Sequence, residues 1–116
     1  MIQVRSLCGV RAHPGDVWRP TECVVSYADA AQHRALVEQS FRDDLALDPE
    51  DIGRERPYLF EEPHNVARAL AMHHCFRPYA WTVRYERWEL IEESALPRER
   101  PNARGPGFSV WVRPLA

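Results

Sequence analysis

From Tyr79 to Glu86 the chain alternates. Tyr79, Trp81, Val83 and Tyr85 fall on one side of an extended backbone and Ala80, Thr82, Arg84 and Glu86 on the other, because successive side chains of a strand point to opposite faces. Aromatic and β-branched residues suit such a pleated, half-buried surface. After Arg87 the phase inverts, and Trp88 and Leu90 take the apolar places. A one-residue slip moves side chains to the other face unless a bulge absorbs it. The pattern therefore predicts a strand over 79–91, with either a bulge near Glu86 and Arg87 or two environments along its length.

Weaker alternation predicts strands over 2–8 (Ile2, Val4), 22–26 (Val24, Val25) and 108–113 (Phe108, Val110, Val112). The first two are separated by the turn signal His13-Pro14-Gly15-Asp16, and a hairpin there brings Cys8 near residues 21–23. The period changes after Tyr27. Val37, Phe41 and Leu45 recur at four-residue spacing, an amphipathic helical stripe within a helix expected over 28–47. Ser26 is its expected cap, with Asp29 completing a box-like pattern. Pro49 ends that helix, and Asp48-Pro49-Glu50-Asp51 starts a short turn stopped by Gly53. Tyr58-Leu59-Phe60 is a small apolar anchor. A second helix, 63–76, opens on Pro63, carries Val66, Ala69, Leu70 and His73 on one face, and closes at Pro78. Residues 94–107, rich in Pro, Arg and Gly, read as a long loop.

The order β-β-α-α-β-β predicts an α+β fold: an antiparallel sheet of about four strands with two helices packed on one face. At 116 residues the chain, 1–116, is expected to form one domain. Leu, Ile, Val and Phe number only 26, so Trp and Tyr must carry much of the core. No apolar run approaches a membrane span, and no signal peptide is evident at Met1-Ile2-Gln3-Val4-Arg5. Three cysteines, Cys8, Cys23 and Cys75, are an odd number that favours free thiols in a reducing, cytoplasmic setting over a Cys8–Cys23 disulfide.

Charge changes the picture further. The net charge is −2 and every basic residue is Arg, which excludes lysine Schiff-base and phosphate-loop chemistry. Residues 38–62 hold nine acids against three Arg, whereas 63–116 hold eight Arg against five acids. Such asymmetry suggests an interaction surface.

No motif names a reaction. Adjacent residues on a helix point about 100° apart, so His73, His74 and Cys75 cannot converge on one ion, and no ligand pair at i,i+4 or Cys-x-x-Cys is present. No metal or cofactor is expected. A serine elbow and a phosphate-cradling glycine loop are absent, and the carboxylate pairs Glu61-Glu62 and Glu92-Glu93 are merely adjacent.

Three readings follow. The leading one is a small protein-binding module, regulatory or inhibitory and of the bacterial or phage immunity-like kind by size and charge alone. It would dock a basic protein surface through Glu38, Asp43, Asp44, Asp48, Glu50 and Asp51, or through the face around Trp88. The second is a small enzyme with a pocket near His73, His74 and Cys75. The third is a single-stranded nucleic-acid binder using Arg98, Arg100 and Arg104, which the slightly acidic composition disfavours. A homo-oligomer is compatible with each.

Overall fold

The computed structural model describes residues 1–45 and 61–115. The α+β architecture is as the sequence predicts, with an antiparallel sheet covered on one face by two helices. The sheet has five strands: β1 (Ile2–Arg11), β2 (Arg19–Tyr27), β3 (Thr82–Leu90), β4 (Ala103–Gly105) and β5 (Phe108–Pro114). They lie in the order β3-β1-β2-β5-β4, and every neighbouring pair is antiparallel.

Register sorts the side chains into two faces. Val4, Ser6, Cys8 and Val10 of β1 stand opposite Val25, Cys23 and Thr21 of β2 and Leu90, Trp88, Tyr85 and Val83 of β3. These share the inner face with Phe108, Val110 and Val112 of β5. Of the two expected alternatives, the bulge is the one present. Leu7 pairs with Arg87 and Cys8 with Tyr85, so Glu86 is the extra residue. It absorbs the phase change and keeps Tyr85 and Trp88 on one face.

Helix α1 (Arg34–Leu45) follows a 3₁₀ turn, Ala31–His33. The cap differs from expectation. Ser26 is buried within β2, and the Asp29 carboxylate instead accepts the Ala31 N–H at 2.9 Å. Strand pairing outcompetes capping because Ser26 stands opposite both Gln3 and Ser109. Val37 is buried and Phe41 half-buried against the core; the Leu45 side chain, the 48–51 turn and the Tyr58-Leu59-Phe60 anchor lie outside the described residues.

Helix α2 (Pro63–Ala71) has Pro in its first turn, where a missing N–H costs nothing. It buries Val66, Ala67, Ala69, Leu70 and Ala71, and the three Ala let its backbone approach the sheet closely. The expected helix to residue 76 is not uniform: Met72–Phe76 is a π turn, in which the Arg77 N–H reaches the Met72 carbonyl.

The expected loop 94–107 contains a 3₁₀ turn, Glu93–Ala95, and β4. Since β3 and β4 lie at opposite edges, the connection from Ile91 to Asn102 must cross the sheet. It crosses the outer face. The Ile91 N–H donates to Gln3 O at 3.0 Å, the Trp111 indole N–H to Glu99 O at 2.8 Å, and the Val112 N–H to the Asn102 side chain at 2.8 Å. Val24, an outer-face residue, is consequently only 2% exposed.

Candidate functional site

The helices stop short of one end of the sheet. After the π turn a 3₁₀ turn, Arg77–Tyr79, contains Pro78, and Ala80 then takes a left-handed conformation at φ 57°. For a residue with a Cβ that conformation costs roughly 1 kcal/mol. It reverses the chain, with the Trp81 N–H returning to Phe76 O at 3.1 Å, and brings Trp81 against Phe76 and Tyr79.

The space left is a cavity of about 430 Å³. Five segments wall it: the end of β1 with the turn after it, the start of β2, the end of β5, the stretch from the π turn to Trp81, and Asn102. Phe76 is fully buried, and the Trp81 ring lies 6.2 Å from it and 5.3 Å from Tyr79. Val10, Val17, Val112 and Pro114 extend the apolar wall.

Polar groups are few. Arg11 and Arg19 line the cavity with Asp16, whose carboxylate accepts the His13 N–H at 3.2 Å. Neither arginine has a carboxylate partner among the described residues. The Arg11 guanidinium lies 4.1 Å from the Trp18 ring centre, and its Nε is buried without a hydrogen-bond partner. Thr21 and Asn102 add short hydrogen-bonding side chains.

His74 and Cys75 also line the cavity. Burial pushes the Cys75 thiol up to about 11, so it is protonated at neutral pH and is a weak nucleophile. Burial, then the positive potential of His73 and His33, lowers His74 below its ordinary 6.5. Its ring stacks on Phe108 at 4.5 Å, and its Nε2 is buried without a partner. A protonated thiol and an imidazole whose buried Nε2 has no partner do not make the ion pair of a thiol nucleophile. Cys8 and Cys23 are likewise free and buried.

The residues singled out from sequence are dispersed. Glu38 bridges Arg34 one helical turn away at 3.1 Å. Asp44 and Asp43 hold Arg77 at 2.8 and 3.6 Å, and the same guanidinium donates to the Ser40 hydroxyl at 3.4 Å. Asp48, Glu50 and Asp51 lie outside the described residues. Trp88, 44% exposed, stacks on His64 at 4.4 Å on the β3 edge. Arg98, Arg100 and Arg104 are exposed, the first two on the crossing segment and the third in β4 at the opposite edge. His73 is exposed, whereas His74 and Cys75 reach the cavity. Sequence reasoning missed Arg11, Arg19 and Asn102, although Val17, an apolar residue beside the turn, could have signalled the site; it is 84% exposed.

No protein-family model, curated protein or solved structure matches the chain.

Proposed function

We propose that this chain is a small-molecule-binding domain, and that the cavity at the end of the sheet takes a compact aromatic or apolar molecule bearing an anionic group. The observation that carries this reading is the lining itself: an apolar, aromatic wall with Arg19, which stands opposite Val10 on the inner face and lacks a carboxylate partner among the described residues. Ligand cavities typically span ~300–1,000 Å³ and combine such a wall with a few polar groups that fix orientation. A carboxylate or phosphate matches the fork of an arginine, and an aromatic body matches the accessible rings of Trp81 and Tyr79. Burial holds the Cys75 thiol up at about 11, which counts against thiolate chemistry at this site.

The acidic-belt reading is weaker on the described residues. Glu38, Asp43 and Asp44 are already engaged by Arg34 and Arg77, so they offer a partner less free charge than the sequence suggests.

The test is a panel of aromatic carboxylates, each paired with its neutral amide, titrated calorimetrically and by tryptophan fluorescence. Carboxylates should bind at least about tenfold more tightly than amides. Arg19→Ala should erase that difference, and Trp81→Ala should weaken both. Equal affinity for the pairs, or saturable binding by none, would refute the proposal.

A further inference from the structure

The β3 edge carries a second and independent message. Among the described residues no strand pairs with its far side, and the edge runs from Thr82 to Leu90 with Trp88 44% and Leu90 59% exposed. Charged side chains and a bulge can serve merely to guard such an edge. Here the order of the charges does more.

The bulge at Glu86 sets the inner face to Val83 and Tyr85 in the first half of β3 and to Trp88 and Leu90 in the second. Consider a second copy added antiparallel across a two-fold axis perpendicular to the sheet, so that both inner faces lie on the same side. The two halves of the strand then match face to face only in registers that set odd-numbered residues against even-numbered ones. In one of these, Tyr85 stands opposite Trp88 of the second copy and Val83 opposite its Leu90. On the outer face Arg84 then meets Glu89, and Glu86 meets Arg87 at the axis. By symmetry each contact is made twice.

The neighbouring face-matched registers fail. A shift one way puts Arg84 opposite Arg87, and a shift the other way puts Glu86 opposite Glu89. Opposite charges facing each other across strands stabilise, and like charges repel. One register is thus selected and those flanking it are penalised, the combination that specific pairing requires. Within one chain Glu86 already bridges Arg84 at 3.3 Å and Glu89 bridges Arg5, whereas Arg87 has no ion-pair partner among the described residues. We infer that β3 is a homodimerisation edge, joining two copies of this chain into one continuous antiparallel sheet in the Arg84–Glu89, Glu86–Arg87 register.

The experiment is charge exchange at the axis, read by sedimentation equilibrium, with circular dichroism confirming that each variant folds. The unmodified protein should be a dimer. Arg87→Glu sets Glu against Glu and Glu86→Arg sets Arg against Arg, so each should raise the dimer dissociation constant about tenfold or more. The double exchange, Glu86→Arg with Arg87→Glu, should restore the dimer. Mixing the two single variants should give a heterodimer, because every axial pair is then opposite in sign. A monomer at every concentration, a dimer indifferent to both single changes, or failure of both the double exchange and the mixture to recover it would overturn the inference.

Discussion

Arg77 is where the acidic end of α1 meets the turn that shapes the cavity, and its worth can be measured. Its guanidinium is 24% exposed and lies 2.8 Å from Asp44, which is 39% exposed, and 3.6 Å from Asp43, which is 43% exposed. Unit charges about 4 Å apart attract by ~4 kcal/mol at an effective dielectric constant of ~20. Solvation of the half-exposed carboxylates and the entropy of fixing long side chains remove most of that, leaving ~0.2–1 kcal/mol for a typical exposed pair. Two carboxylates and a hydroxyl on one guanidinium put Asp44–Arg77 near the top of that range. We expect a coupling of about 1 kcal/mol from the cycle of Asp44→Ala, Arg77→Ala and the double variant, measured by urea unfolding with tryptophan fluorescence. High salt should shrink it, since the screening length falls to ~3 Å at 1 M. A coupling below ~0.3 kcal/mol, within the error of additivity, would mean that Arg77 is not a tie between α1 and the turn. Charge reversal at Asp44 would also place like charges side by side, so a docking assay built on that reversal must first account for lost stability.

Other expectations follow from burial. Leu70→Ala should cost ~2–5 kcal/mol by urea unfolding, as its side chain is fully buried; Phe41→Ala, at a half-buried site, should fall below the ~3–5 kcal/mol of a fully buried Phe. Burial is the largest cause lowering His64 and His74 below their ordinary 6.5, so near and below that pH the unfolded chain binds more protons. Stability should therefore fall as pH drops from neutral through 6.5, and His74→Gln should flatten the decline; an unfolding midpoint independent of pH there would contradict both shifts. Burial also pushes Cys8 and Cys75 up to about 11, and Cys23 is raised as well, so an aromatic disulfide reagent at pH 8 should label the folded protein slowly and all three thiols quickly in denaturant.

Period-two alternation made β3 readable, and its phase change located the bulge, because both are short-range consequences of the pleat. Ala103-Arg104-Gly105 carries no such pattern. It forms β4 only because β5 supplies a ladder, in which Ala103 meets Val110. Ser26 misled for a related reason: locally it resembles a cap, but two neighbouring strands claim its backbone. The cavity was hardest to read. Arg11, Arg19, Trp81 and Asn102 lie far apart along the chain and meet only through the strand order and the left-handed turn at Ala80. His74 and Cys75 were noticed by residue type, and it took the π turn and the sheet end to show that they form wall and not reagent.

The place of β1 between β2 and β3 has a kinetic consequence. Its ladder with β2 joins residues near in sequence, Val10 with Arg19, whereas its ladder with β3 joins Val4 to Leu90. Closing the long loop costs more entropy than closing the hairpin, and contacts distant in sequence slow folding. The β1–β2 hairpin is thus expected to assemble first and to wait, one flank unsatisfied, until β3 arrives. Pulse-labelling hydrogen exchange should find amides in the β1–β2 ladder protected before those in the β1–β3 ladder; simultaneous protection would argue for a single concerted step. The other flank of the hairpin waits likewise, because β2 meets β5 across a still longer stretch of chain, Thr21 with Pro114.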